Sequence, residues 1–158
     1  MTVTALERIL RDQQEELFYR NYSIDNAFVT NHEDALQTEN LGWRLENVVA
    51  IELYRRMEHE SQQLYYIRKN RNYEVDFALV DRNKVTELIQ VTYDFSQPKT
   101  KLYNREIGGL VKGSTDTGCK NLTLIMMTGE EGDVLVDGLT IHKVLACHWL
   151  VNYPNNII

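Results

Sequence analysis

An aspartate inside a β-strand pattern is the feature that most constrains what this chain can fold into. Residues 73–80 alternate as a half-buried strand does. The alternation predicts one face made of Tyr73, Val75, Phe77 and Leu79 and the other of Glu74, Asp76, Ala78 and Val80. An acid within a strand is disfavoured, so Asp76 either faces solvent or serves a purpose. Gln90 and Thr92 share a face of a second strand pattern, and a hairpin would set Asp76 beside Gln90 at one end of a sheet.

The other periodicities predict an α/β fold. Apolar residues recur at helical spacing over roughly residues 41–58, with Asn40 or a neighbour as the N-cap. Strands are predicted at 64–67, 73–80, 86–93, 121–127 and 138–145, a helix at 99–112 ended by Gly113, and a short element at 146–151. The apolar run at 121–127 is typical of a buried central strand, expected to lie parallel to a strand of the preceding meander. The order is α-β-β-β-α-β with a β-α tail, a mixed central sheet and helices on its faces.

Glu46 lies on or beside the apolar stripe of the first predicted helix, which also includes Val49, Ala50 and Leu53. A buried carboxylate is costly unless it is paired or bound to a cation. One interpretation is that Glu46 lies at the margin of the stripe and pairs with Arg44 or with a residue of the sheet. The other is a metal site, because hard cations such as magnesium prefer the oxygen ligands that Glu46, Asp76 and Gln90 offer. A metal there would polarise a phosphate and lower the pKa of an attacking water.

Charge is spread unevenly along the chain. The net charge is −6, yet residues 61–125 contain ten basic and seven acidic residues. Backbone phosphates respond to local potential, so this segment could hold DNA or RNA. The candidate contacts are Arg68, Lys69, Arg71, Lys101 and Arg105. The alternative is a solvated face with loop lysines.

Several function classes find no support in the sequence. Two cysteines without a C-x-x-C motif suggest neither a disulfide framework nor a zinc site. No apolar run approaches a membrane span and no signal-peptide core is present, so a cytoplasmic protein without a membrane partner is expected. No G-x-x-x-x-G-K-[ST] loop occurs, so no ATP site of that type is expected in this chain.

A family resemblance rests on four ordered segments. They are Gly42-Trp43-Arg44-Leu45-Glu46-Asn47-Val48-Val49, Glu74-Val75-Asp76-Phe77, Leu88-Ile89-Gln90-Val91-Thr92-Tyr93-Asp94 and Arg105-Glu106-Ile107. Together they resemble a C-terminal domain of unknown function carried by bacterial and archaeal AAA-type ATPases. That domain is similar to the PD-(D/E)XK, restriction-endonuclease-like superfamily. The resemblance implies a nuclease-like domain over residues 41–152, an N-terminal helical connector over 1–40 and a tail over 153–158.

The resemblance also assigns the site residues. It implies that Glu46 and Asp76 are metal-site acids, that Gln90 takes the (D/E) position and that Thr92 takes the lysine position. Gln90 and Thr92 depart from the pattern, and Lys101 or Lys112 is a candidate replacement for the lysine.

Three functions follow from these assignments. One is a nucleic-acid-binding module of nuclease fold, catalytically degenerate, that serves an associated ATPase. Another is a magnesium-dependent nuclease that uses Glu46, Asp76 and a relocated lysine. The third is a structural or homo-oligomerising domain with a relic site.

Overall fold

A computed structural model describes residues 38–57, 61–69, 72–96 and 101–151, without the side chains of residues 38–40 and 102. The helices are α1 (Thr38–Arg56), α2 (Lys101–Thr117) and α3 (Ala146–Val151). The strands are β1 (Gln62–Lys69), β2 (Tyr73–Asp81), β3 (Lys84–Phe95), β4 (Leu122–Gly129), β5 (Gly132–Val136) and β6 (Leu139–Leu145). The predicted tail and most of the predicted connector lie outside these ranges. None of the described helices is long and apolar enough to cross a membrane.

The strands form one mixed sheet in the order β1-β2-β3-β4-β6-β5. β1, β2 and β3 form an antiparallel meander. β4 is parallel to both β3 and β6, and β5 closes the sheet as an antiparallel neighbour of β6. The predicted α/β class, the mixed sheet and the central parallel strand are confirmed.

The helices α1 and α2 cover opposite faces of the sheet. Leu45, Val49 and Leu53 of α1 pack in one buried cluster with Ile89 of β3. Ile107 and Leu110 of α2 pack in another cluster with the neighbouring Leu88. Because successive side chains of a strand point to opposite faces, Leu88 and Ile89 must face different layers. The helical stripe predicted for α1 is therefore confirmed.

A β-bulge interrupts β2 at the predicted site residue. Tyr65 pairs with Ala78 and Ile67 with Val75, so the single residue between them on β1 lies opposite both Asp76 and Phe77. One extra residue shifts the strand's alternation. As a result Val75 and Ala78 both lie in the α2-side cluster, while Phe77 lies in the α1-side cluster. The unbroken alternation predicted over residues 73–80 is wrong.

Two predicted helix ends are also wrong. The helix α1 already begins at Thr38, so Asn40 is inside it rather than at its N-cap. The helix α2 continues through Gly113 to Thr117 and ends at Gly118, which has a φ of 75° and donates its N–H to the carbonyl of Ser114. Gly118 is thus a left-handed C-terminal cap. A Cβ on Gly113 would lie 3.0 Å from the Val75 side chain, so this glycine allows close packing on the sheet rather than ending the helix.

The sequence prediction missed β5. The strand forms a two-residue hairpin with β6, and the turn residues Asp137 and Gly138 have φ values of 51° and 76°. Positive φ at both positions is the geometry for which Asp-Gly is preferred. The dipeptide between two apolar runs was therefore a signal for this hairpin.

Candidate functional site

A cleft of about 530 Å³ opens where α1, the β2 bulge, β3 and α2 meet. Glu46, Asp76 and Gln90 all line this cleft, as the sequence predicted. Thr92 does not line it and is buried in β3, where it pairs with Met126 of β4. Three of the four predicted catalytic residues are therefore brought together, and the fourth is not.

The bulge determines how Asp76 is held. Pairing between β2 and β3 begins only at Phe77 and Ile89, so the β3 backbone opposite Asp76 lacks a strand partner there. Oδ2 of Asp76 accepts the Val91 N–H at 2.8 Å, and the Asp76 N–H points to Oε1 of Gln90 at 3.4 Å. The carboxylate thus satisfies a strand amide that the bulge leaves open, which fixes its position.

The pKa of Asp76 is raised well above its usual value. Burial is the main cause, followed by the negative charge of Glu46. The hydrogen bond from the Val91 N–H opposes this shift, Glu106 adds to it, and Arg105 opposes it. The cleft therefore concentrates negative charge that the surrounding protein only partly compensates.

Glu106 does not line the cleft but is paired with Arg105, which does, and sequence reasoning missed it as a candidate acid. Its side chain is 1% exposed, and its Oε1 accepts two hydrogen bonds from Arg105 at 3.0 and 2.6 Å. Its Oε2 is buried without a hydrogen-bond partner. Burial raises the pKa of Glu106, against the opposing effects of Arg105 and of the Gln90 amide. A charged residue between the apolar positions 103, 107 and 110 of α2 was the signal that could have found it.

Gly109 brings α2 directly against β2. A Cβ at this position would lie 2.4 Å from the backbone oxygen of Glu74 and 3.8 Å from Oε1 of Gln90. Only a residue without a side chain permits this approach. Because Glu106 precedes Gly109 by three residues on the same helix, the contact also sets the depth at which Glu106 enters the sheet.

The donors of the cleft fit a hard divalent cation in kind. They are carboxylate and amide oxygens, and the unpartnered Oε2 of Glu106 is a further oxygen donor near them. Glu46 and Asp76 are the residues that would hold magnesium. In the arrangement seen within the described ranges, no three His, Cys, Asp or Glu side chains are grouped as ligands of one metal ion.

Most of the residues predicted to contact nucleic acid form ion pairs with acidic residues of the protein. Arg68 pairs with Glu74 at 3.2 Å, and Lys69 pairs with Asp116 at 2.9 Å. Both bases are half-exposed, and such surface pairs are weak enough for a phosphate to replace the acid. Lys101 is exposed at the start of α2, and Arg71 lies outside the described residues.

Two further cations line the cleft itself. Arg105 pairs with Glu106 at 2.6 Å while its side chain is 74% exposed. Lys112 directs its Nζ to the backbone oxygen and side-chain oxygen of Asn72, at 3.2 and 2.9 Å. The cleft therefore has a buried acid, Asp76, and a rim where the half-exposed Glu74 lies among basic groups. It can accept a phosphate whose charge is shared between these basic groups and a bound cation.

Comparison with known proteins adds one relative. The chain is 40% identical over 96 residues to the uncharacterized protein MJ1544 of Methanocaldococcus jannaschii. The matched region covers 60% of the chain and 20% of MJ1544, so the chain spans about a fifth of that relative's length. No protein-family model and no solved structure match the chain. The class of protein that the fold defines is an α/β protein with a mixed six-stranded sheet.

Proposed function

We propose that this chain is a nucleic-acid-binding module with a restriction-endonuclease-like core, catalytically degenerate and accessory to an AAA-type ATPase. The observation that carries the proposal is the cleft in which Glu46, Asp76 and Gln90 converge beneath Arg105 and Lys112. The order of one helix, three antiparallel strands, a helix and a parallel strand supports the restriction-endonuclease-like assignment. The association with an ATPase rests on the family resemblance.

Phosphate chemistry explains the arrangement of charges. Oxygen ligands in the floor would hold magnesium, which supplies charge neutralisation for a phosphate and activation of a water. Arg105 and Lys112 at the rim, with Arg68 and Lys69 beyond it, would position the backbone of DNA or RNA.

Weak catalysis follows from two positions. Gln90 is uncharged and accepts the Asp76 N–H, so it adds no anion to the cleft. Thr92 is buried outside the cleft and offers no ammonium group for developing negative charge. The loss of one such stabilising group commonly costs about 10²–10³ in rate.

A magnesium-dependent nuclease is the second candidate, and Lys112 favours it. Its side chain lines the cleft and bonds to Asn72, so it is the candidate for the relocated lysine that this function would require. Lys101 is not among the residues that line the cleft. If the nuclease is active, Lys112 would stabilise the transition-state charge.

Binding is tested by fluorescence anisotropy with single- and double-stranded DNA and with RNA over a range of salt concentrations. Arg105→Gln should weaken binding and, for duplex DNA, reduce the slope of log K against log salt by about 0.9 for each phosphate that the variant no longer neutralises. Arg55→Gln is the matched control, because Arg55 also pairs with a neighbouring glutamate and is 72% exposed, but lies on α1. Absence of any salt-sensitive binding would favour a structural domain instead.

Cleavage is tested separately with Mg²⁺ or Mn²⁺ on the same substrates. The expected result is little or no turnover for the native chain. Robust cleavage that Asp76→Ala and Lys112→Ala both abolish would replace the proposal with the nuclease.

A further inference from the structure

We infer that Glu106 supplies a carboxylate to a cation site with Glu46 and Asp76, in place of Gln90, and that a divalent cation displaces Arg105 from it. The inference rests on the proposed nuclease-type site, although it is independent of nucleic-acid binding. It moves the acidic ligand from the strand β3 to the helix α2.

The buried carboxylate of Glu106 is only partly satisfied by its hydrogen-bond partners in the structure. The great majority of buried side-chain polar atoms in proteins have a hydrogen-bond partner. Oε2 of Glu106 has none, although the side chain is 1% exposed. Arg105 donates both of its hydrogen bonds to the other oxygen, Oε1. An unsatisfied buried anionic oxygen is destabilising, so its retention indicates a ligand that takes it up.

Gln90 allows a carboxylate on α2 because its uncharged amide does not repel that carboxylate. Its Oε1 lies towards the Asp76 N–H, and the Gln90 side chain also acts on Glu106, whose pKa it helps to hold down against the effect of burial. A carboxylate at position 90 would face two acids at short range. An amide there lies between Asp76 and Glu106 without adding charge. The acids available to a cation are then Glu46, Asp76 and Glu106, while the half-exposed Glu74, which also lines the cleft, pairs with Arg68.

Arg105 is the group that a cation must replace. Its side chain is 74% exposed, so the guanidinium can move into water at little cost once Glu106 has another partner. With Glu106 held by Arg105, no three acids in the described part of the chain are grouped around one point. Cation binding therefore requires Glu106 to turn from Arg105 towards Asp76.

This competition makes opposite predictions for two neighbouring residues. Glu106→Gln should weaken Mn²⁺ binding by about tenfold or more, within the range seen when groups supporting a metal site are lost. Arg105→Gln should strengthen it, because the internal competitor is removed. Arg55→Gln, an exposed arginine paired with Glu52, should leave Mn²⁺ affinity unchanged.

The experiment measures Mn²⁺ alone, by electron paramagnetic resonance of the free ion and by calorimetry, on the full chain without nucleic acid. A charge exchange completes the set: Gln90→Glu with Glu106→Gln returns the acid to β3 and should restore most of the lost affinity. Circular dichroism confirms that each variant is folded. If the exchanged variant does not fold, Glu106→Gln and Arg105→Gln still decide the question.

Three results would overturn the inference. They are no Mn²⁺ binding by the native chain at millimolar concentration, native affinity in Glu106→Gln, and unchanged or weaker affinity in Arg105→Gln. Failure of the proposed function has a different signature, since it removes salt-dependent nucleic-acid binding and leaves the Mn²⁺ pattern of these variants intact.

Discussion

Two adjacent glycines of α2 allow the packing of this helix to be tested with a built-in control. An added Cβ at Gly108 meets nothing within 4 Å, whereas at Gly109 it lies 2.4 Å from the backbone oxygen of Glu74. Neither glycine has a positive φ. Gly108→Ala and Gly109→Ala therefore make the same chemical change in the same helix, and differ in what the new methyl group meets.

The expected difference in stability is large enough to measure. Alanine is favoured over glycine within a helix by about 0.8–1 kcal/mol, and both variants gain this amount. At position 109 the methyl group would press on backbone, which cannot rotate away, so α2 must move from β2. Forcing extra atoms into a packed region costs about 1–3 kcal/mol. Gly108→Ala should thus exceed Gly109→Ala in unfolding free energy by about 1–3 kcal/mol.

Urea unfolding followed by circular dichroism is the assay. With a slope of about 1–3 kcal/mol per molar urea, a difference of about 2 kcal/mol separates the midpoints by roughly 1 M. Coincident midpoints would show that α2 does not contact the Glu74 backbone in solution. The depth assigned to Glu106 would then be wrong as well, because the same contact sets it.

Three further predictions concern pH, a turn and a buried hydroxyl. Because the folded-state pKa of Asp76 is raised, its stabilising contribution is complete below about pH 4 and is lost as pH rises through the folded pKa. Asp76→Asn should therefore remove up to about 1.4 kcal/mol per pH unit from the decline of the unfolding free energy with pH. An unchanged slope of unfolding free energy against pH would contradict this. Gly138→Ala should cost about 1–2 kcal/mol in urea unfolding, since φ is 76° and an added Cβ meets no neighbouring atom; no loss would contradict the left-handed turn. Tyr73→Phe should lower the unfolding free energy by about 1 kcal/mol, because the Tyr73 hydroxyl donates to Asp116 at 2.6 Å, and native stability would show that this bond contributes nothing.

Local patterns predicted most of the fold. The apolar run that became β4 and the strand-forming runs of the meander depend on neighbouring residues alone, so the sequence carries them. The bulge could not be predicted in this way, because it exists only in the pairing of β2 with Tyr65 and Ile67 of β1. Gly113 was misinterpreted for a similar reason, since its role depends on Val75 from another element.

The residues of the candidate site also divide into those that local sequence patterns predict and those that depend on contacts between distant parts of the chain. Glu46, Asp76 and Gln90 follow one another on elements whose order already brings them together, and their convergence was predicted. Glu106 is buried near the cleft because Gly109 brings α2 onto β2, a contact between distant parts of the chain. Thr92 was placed at the site by its spacing from Gln90, but the cleft does not extend that far along β3.

Because of the β2 bulge, the acid Asp76 could be lost without changing which neighbouring residues of β2 face the core. If Asp76 were deleted, Phe77 would follow Val75 directly and still face α1, while Ala78 would still face α2. Asp76 can thus be regarded as the extra residue of the bulge in the pairing of β2 with β1. This acid could be gained or lost through a single codon without reversing the face of any other residue, whereas a deletion in β2 outside the bulge would reverse the faces of the residues beyond it.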